Sequence, residues 1–76
     1  METAQLKSKE DRRLLRGHLW AYRNEFARLP QLEDGAVIDV VSDRGRFVGR
    51  GFYQAEGGIA ARIVTERGKG YRFTPP

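Results

Sequence analysis

Apolar residues in the first third of the chain fit two different periodicities. Four of them are spaced by four, three and four positions: Leu15, Leu19, Tyr22 and Phe26. This spacing suits one face of a helix. Gly17 interrupts the stripe, however, and glycine inside a helix costs about 1 kcal/mol relative to alanine. We therefore predict a short basic helix over residues 9–16 that ends at Gly17, because glycine just past a helix end readily adopts positive φ.

The segment after Gly17 alternates at period two, as a short strand does: Trp20, Tyr22, Asn24 and Phe26. Upstream, residues 4–7 predict a short edge strand. Ser8 is expected to cap the helix, with Asp11 in its first turn. Leu14 and Leu15 are expected to point inward from that helix.

The second half of the chain predicts a hairpin and further strands. The β-branched run 35–42 and the run 46–53 flank a turn signal at Asp43-Arg44-Gly45. Gly49 and Gly51 within the returning strand indicate a bulge or a close backbone approach. The remaining predicted elements are a loop at 54–58, a strand at 59–64, a basic turn at 67–70 and a last strand at 71–73. Together they favour a mixed α/β, mainly β fold, a small pseudo-barrel of about five or six short strands with one N-terminal helix.

Composition limits the chemistry that this chain can perform. The 76 residues suffice for one small domain and include no cysteine and a single histidine. Disulfides, thiolate metal sites and a cysteine nucleophile are therefore excluded, and His18 alone cannot hold zinc, which takes four ligands. The glycine-containing stretch 49–58 matches neither the phosphate-binding loop nor the dinucleotide-binding pattern. We expect no catalytic residues, no metal and no cofactor in this chain.

The distribution of charge along the chain bears more directly on function than the overall composition does. The net charge is +4, and it is divided into a basic segment (1–28), an acidic one (29–43) and a second basic one (44–76). Most of the basic residues are arginine, which binds phosphate bidentately and stacks on bases. A solvated face is the simplest interpretation. A one-sided positive field for RNA is the functional alternative.

Basic and aromatic residues are interleaved in two clusters. The first contains Arg12, Arg13, Arg16, His18, Trp20, Tyr22 and Arg23, and the second Arg44, Arg46, Phe47, Arg50, Phe52 and Tyr53. RNA-binding proteins use arginine for phosphates and aromatic rings for bases. In so small a domain, however, five aromatic residues are expected in the core: Trp20, Tyr22, Phe26, Phe47 and Phe52. We accordingly expect Trp20→Ala to destabilise the fold rather than to alter binding.

Three stretches of the sequence resemble a known family: RRLLRGHLWAY (12–22), VIDVVSDRGRFVGRGFY (37–53) and IAARIVT (59–65). They are similar to the N-terminal PUA-like domain of bacterial S-adenosylmethionine-dependent methyltransferases that act on cytosine C5 of 23S ribosomal RNA. The resemblance covers residues 5–66. Two positions depart from the family: Leu19 replaces a common proline, and Gln54-Ala55-Glu56-Gly57 replaces Asn-Pro-x-Ser.

The resemblance implies a PUA fold that binds RNA around the first helix and the loop that follows it. Gly17 would end the helix so that a tight loop presents Arg16 and His18, while Trp20 anchors the loop in the barrel. The residues expected to bind RNA are Arg12, Arg13, Arg16, Gly17, His18, Arg23, Arg46 and Arg50. We expect one phosphate-binding surface on the helix and loop (Arg13, Arg16, His18) and a second on the hairpin (Arg46, Arg50).

The resemblance also implies a parent protein. Residues 1–76 would be a single PUA-like domain with its core at about 4–73, and a methyltransferase domain of the parent would bind S-adenosylmethionine. The expected partners are ribosomal RNA and that domain, in the cytoplasm, with no membrane. Two alternatives remain open: a structural module that packs on the catalytic domain with little RNA contact, and a small SH3-like protein-interaction barrel.

Overall fold

The computed structural model of the chain describes residues 2–66 and is mainly β. In chain order its elements are β1 (Glu2–Leu6), α1 (Asp11–Leu15), β2 (Trp20–Tyr22), a 3₁₀ helix (Arg23–Glu25), β3 (Phe26–Arg28), β4 (Val37–Val41), β5 (Phe47–Tyr53) and β6 (Ile59–Glu66). The mainly β fold class is confirmed. The turn and strand predicted at 67–70 and 71–73 lie outside the described residues.

The six strands form one curled half-barrel in the order β2-β6-β5-β4-β1-β3. Neighbouring strands are antiparallel except β1 and β4, which are parallel. The prediction that the first strand lies at an edge is wrong, because β1 is hydrogen-bonded on both sides, to β4 and to β3. Ala4 and Leu6 are completely buried there, and this interior position brings the start of α1 next to the β4–β5 turn.

The β4–β5 hairpin is confirmed, with its turn at Asp43-Arg44-Gly45. Ser42 Oγ accepts hydrogen bonds from the backbone N–H groups of Arg44 (3.2 Å) and Arg46 (3.1 Å). Gly45 has a φ of 83°, a conformation that glycine adopts without steric cost. These contacts hold the turn in one shape and set the direction in which its arginines leave the backbone.

Gly51 marks a close approach between β5 and β6, as the sequence predicts. A Cβ at this position would lie 1.9 Å from the backbone oxygen of Arg62. Gly51 pairs with Ile38 of β4 in continuous register, and its pairing with Ile63 of β6 follows a register shift between Arg50 and Gly51. Only glycine permits this backbone contact.

The core lies inside the half-barrel and follows the alternation of the strands. Ile38 and Val40 of β4 are completely buried, whereas the residues that alternate with them, Val37, Asp39 and Val41, are only partly covered. The buried apolar residues are Ala4, Leu6, Leu14, Ala21, Phe26, Ile38, Val40, Val48, Tyr53, Ala60, Ala61 and Ile63. The sheet therefore has one apolar inner face and one outer face that meets solvent.

Helix α1 is shorter than predicted and begins differently. It spans Asp11–Leu15, and its N-cap is Glu10 rather than Ser8, with no side-chain cap hydrogen bond. Leu14 is buried, but Leu15 is 48% exposed, so the prediction that both leucines point inward is wrong for Leu15. One turn of helix on the rim of a half-barrel buries only one narrow stripe.

The helix stop at Gly17 is confirmed, with a φ of 104°. The Gly17 N–H donates to the Leu14 carbonyl (3.1 Å), and the His18 N–H donates to the Arg13 carbonyl (3.3 Å). These two bonds form a Schellman motif, which satisfies the last helical carbonyls and reverses the chain. The extended segment that follows is β2, as the period-two alternation predicts.

Only some of the aromatic side chains that the sequence assigns to the core are buried there. Phe26 is buried and Phe52 is half-buried, but Trp20 is 40% exposed, Tyr22 is 42% exposed, and Phe47 is exposed as well. The prediction that these last three belong to the core is wrong. Ala21, between the first two, takes the inward position on β2, and the 3₁₀ helix breaks the alternation before Phe26.

Candidate nucleic-acid interface

A shallow depression of about 370 Å³ lies between the segment that leads into α1 and the β4–β5 turn. Four basic residues line it: Lys9, Arg12, Arg44 and Arg46. The remaining lining residues are Ser8, Asp11, Ser42 and Asp43. The side chain of Gln5 on β1 donates to the Asp43 carbonyl (2.8 Å) and so connects β1 to the β4–β5 turn. Residues far apart in the sequence thus meet at one concave site.

A second depression of about 380 Å³ continues along α1. Its lining is Lys9, Glu10, Arg12, Arg13, Arg16 and Glu25. Lys9 and Arg12 line both depressions, so the two adjoin at these residues. We call the exposed cations along them the basic surface: Lys9, Arg12, Arg16, Arg44 and Arg46.

The three arginines of the basic surface that the sequence predicts as RNA-binding point into solvent. The guanidinium groups of Arg12, Arg16 and Arg46 form no ion pair or hydrogen bond with any residue that the structure describes. Their donors are therefore available to a ligand. Gly17 and His18 lie exposed in the Schellman turn next to Arg16.

Arg13 uses its guanidinium within the fold. It forms an ion pair with Glu25 and lies over the ring of Tyr22, 5.1 Å from the ring centre. Glu25 is buried and also accepts a hydrogen bond from the Tyr22 N–H (2.7 Å). Arg13 thus joins α1 to the segment after β2, while one side of it still faces the second depression.

Arg23 and Arg50 are likewise held by acceptors of this chain. Arg23 donates to the carbonyls of Gln54 (2.6 Å) and Gly57 (3.0 Å), which ties the 3₁₀ helix to the β5–β6 loop. Arg50 binds Asp39 with two hydrogen bonds (2.6 and 3.2 Å), and this bonding raises the pKa of Arg50. Of the two predicted surfaces, the structure therefore brings Arg46 close to Arg12 and leaves Arg50 on the outer face of the sheet.

Sequence reasoning missed Lys9 as a site residue and did not select Arg44. Lys9 has a φ of 70°, a left-handed conformation that is uncommon outside glycine. No motif signals this, and the sequence predicts Lys9 as the first residue of the helix over 9–16, whereas α1 begins at Asp11. Arg44 belongs to the second basic cluster but was outside the expected RNA-binding set. Its place in the turn that faces α1 depends on the pairing of β1 with β4.

Other kinds of site find no support in the described part of the chain. Among residues 2–66, no group of three or more histidine, cysteine, aspartate or glutamate side chains is arranged to hold a metal ion. No helix in the same range is long and apolar enough to cross a membrane. The concave, cationic surface beside α1 is thus the feature with the clearest chemical preference, which is for anions.

Comparison with known proteins agrees with this geometry. The family model for the PUA-like domain matches residues 4–66, which covers every described element from the middle of β1 to the end of β6. No curated protein matches the chain. PUA-like domains are generally non-catalytic, RNA-binding modules. The chain belongs to the PUA-like domain family.

Proposed function

We propose that this domain binds structured RNA through the basic surface and positions an S-adenosylmethionine-dependent methyltransferase on ribosomal RNA. Arg12, Arg16, Arg44 and Arg46 would bind phosphate groups, and Lys9 would add a point charge between them. The observation that carries this proposal is that two depressions lined by exposed cations adjoin at Lys9 and Arg12. Guanidinium groups bind phosphate oxygens bidentately, and a concave row of them follows a phosphate backbone.

The remaining predicted residues take supporting roles in this proposal. Gly17 and His18 would let a phosphate approach the turn after α1, because that turn exposes backbone without a bulky side chain at Gly17. Arg13, Arg23 and Arg50 would hold the surface in place through their internal contacts. Glu10, Asp11 and Asp43 lie among the cations, so the positive potential is modest and affinity should be weak.

The role in methylation rests on the resemblance of residues 5–66 to the N-terminal domain of the ribosomal RNA methyltransferases. S-adenosylmethionine would bind to the catalytic domain of the parent protein, which works in the cytoplasm. The described residues would contribute RNA affinity and orientation and no chemical step.

Exposed apolar residues favour a second candidate role, packing against that catalytic domain. Leu15, Leu19 and Val64 are all more than 40% exposed. Leu19 lies beside β6, where its carbonyl accepts the Ile63 N–H (2.6 Å). None of the three lines either depression, so such packing would leave the basic surface accessible to RNA.

The test is RNA affinity as a function of salt, measured by fluorescence anisotropy of a labelled ribosomal RNA hairpin. Log affinity falls as log salt rises, and each phosphate contact adds about 0.7–0.9 to the magnitude of that negative slope. Arg12→Ala and Arg46→Ala should each reduce the magnitude of the slope by about one unit. Each should also weaken binding to a similar extent for every RNA sequence. Their melting temperatures should stay near that of the parent, because these side chains are exposed.

Arg28→Gln is the matched control. Arg28 is exposed on β3 and lines neither depression, so its removal should leave the slope unchanged. Absence of binding at low salt would refute the proposal. Equal losses for Arg12, Arg46 and Arg28 would show that only net charge matters and that the basic surface is not a site.

A further inference from the structure

The outer face of the sheet carries a row of large side chains across three strands. Trp20 of β2 is the register partner of Arg62 on β6, and Arg62 is the register partner of Phe52 on β5. Directly paired residues share one face, with their Cβ atoms about 4.5–5.5 Å apart. Trp20, Arg62 and Phe52 therefore form one continuous strip that faces away from the core.

Alternation along the strands fixes this orientation. Ala21 is completely buried next to Trp20, and Ala61 and Ile63 are buried on either side of Arg62. Trp20 and Arg62 are both exposed. Trp20 is 40% exposed, so part of its large apolar surface is accessible to a ligand.

The aromatic end of the strip is held in place before any ligand binds. Trp20 Nε1 donates to the Tyr22 hydroxyl (3.3 Å). The Tyr22 N–H donates to Glu25 (2.7 Å), and the guanidinium of Arg13 lies 5.1 Å from the centre of the Tyr22 ring. Side chains ordered in advance lose less entropy on binding. The indole is thus presented as a fixed flat surface.

The charges on this face favour a nucleic acid as the occupant. Asp39 is bonded to Arg50 and Glu25 to Arg13, so each of these two carboxylates has its charge offset by an arginine. Arg62 forms no ion pair with any residue that the structure describes. A flat aromatic surface beside an available guanidinium suits an unpaired base and its phosphate, because both aromatic rings and guanidinium planes stack on bases.

We propose that Trp20 and Arg62, supported by Tyr22, form a stacking platform for an unpaired base of the bound RNA. This inference rests on the proposed function and specifies it: the basic surface takes phosphates, and the platform takes a single-stranded nucleotide beside the structured region. Trp20 and Arg62 line neither depression, so the two contacts can be separated by experiment.

The chain offers a direct optical probe, because Trp20 is its only tryptophan. We expect saturable quenching of tryptophan fluorescence by a single-stranded 12-nucleotide RNA and much weaker quenching by the same strand in a blunt duplex. Trp20→Phe should retain most of the affinity for the single strand, whereas Trp20→Leu should lose about five- to a hundredfold. Arg62→Lys, which keeps the charge but not the planar group, should lose affinity as well.

Phe47→Leu is the matched control, since Phe47 is an exposed aromatic residue away from the strip, and it should leave affinity unchanged. Folding of each variant is checked by circular dichroism. If Trp20→Leu fails to fold, the wild-type quenching and the affinity of Arg62→Lys test the platform instead.

Anisotropy of the labelled hairpin separates the two proposals. Hairpin binding without quenching, or equal affinity of Trp20→Leu and Trp20→Phe for the single strand, would overturn the platform and leave the basic-surface proposal standing. No binding by either readout would overturn both proposals.

Discussion

Lys9 combines an unfavourable backbone conformation with a central position in the basic surface. Among the described residues other than glycine, it alone has a positive φ, 70°. A left-handed conformation costs an L-residue about 1–2 kcal/mol. The chain accepts this cost at a residue that lines both depressions, and strain of this kind concentrates at functional sites.

We therefore expect Lys9→Gly to stabilise the fold while it weakens RNA binding. Glycine removes the left-handed penalty, which should raise the free energy of unfolding by about 1 kcal/mol, less the entropy that glycine gains when unfolded. Lys9→Ala removes the same charge but keeps the strain. Urea denaturation and the anisotropy assay on both variants check this: the losses of affinity should be equal and only the glycine variant should gain stability. A stabilised variant with unchanged affinity would remove Lys9 from the site.

Glu25 is a buried carboxylate with two partners, the Tyr22 N–H and the Arg13 guanidinium. Glu25→Gln keeps an acceptor for the Tyr22 N–H and should lower the free energy of unfolding by about 1 kcal/mol. Glu25→Ala leaves both donors without an acceptor and should lower it by about 2–3 kcal/mol. Partial exposure of Arg13 to water limits the loss. Urea denaturation measures both values, with exposed Glu56→Ala as the control. Equal stability of all three variants would mean that the ion pair contributes nothing.

The pairing of β5 with β6 depends on one missing side chain. Gly51→Ala would place a methyl group 1.9 Å from the Arg62 backbone oxygen, and neither strand can retreat without breaking its other ladder. We expect this variant to lose the folded state, seen as loss of amide dispersion in a nitrogen–proton correlation spectrum. Gly58→Ala is the control, because nothing lies within 4 Å of its added Cβ, and it should fold normally. A folded Gly51→Ala protein would show that the strands are farther apart than described.

The turn after α1 links the helix to the strand that carries Trp20. We expect a substitution there to destabilise the fold less than Gly51→Ala does. Gly17 has a φ of 104° and open space around its Cβ position, so Gly17→Ala should cost about 1–3 kcal/mol from backbone conformation alone. Thermal unfolding checks this against the same Gly58→Ala control. A melting temperature equal to the control's would indicate that the turn tolerates another conformation.

At the scale of the whole molecule, the two proposed RNA contacts, the basic surface and the Trp20 platform, differ in chemistry. Phosphate binding by the basic surface is screened by salt, while stacking on Trp20 is not. The affinity lost in Arg12→Ala should therefore shrink as salt rises from 50 to about 300 mM, and the loss in Trp20→Leu should stay constant across that range. Anisotropy with an RNA hairpin that carries a single-stranded extension measures both. Parallel salt dependence of the two losses would argue against two separate contacts.

Local chemistry in the sequence determined much of this fold. The β4–β5 hairpin, the stop at Gly17 and the close approach at Gly51 follow from turn residues, periodicity and the absence of a Cβ, and each depends on neighbours in the chain or on one backbone position. The excess of arginine, the lack of cysteine and the resemblance of residues 5–66 likewise required no coordinates. These properties indicated an RNA-binding, non-catalytic domain.

Only the tertiary structure decided which side chains are available. Arg13, Arg23 and Arg50 find their acceptors 11 to 34 positions away, and no local pattern distinguishes them from Arg12, Arg16 and Arg46, which remain free within the described residues. The parallel pairing of β1 with β4 brings the Asp43–Gly45 turn to α1, and the small Ala21 takes the inward position that leaves Trp20 outside. The physical reason is common to all three: the free energy of burying or pairing a group depends on partners brought from elsewhere in the chain, and those partners are set by strand order.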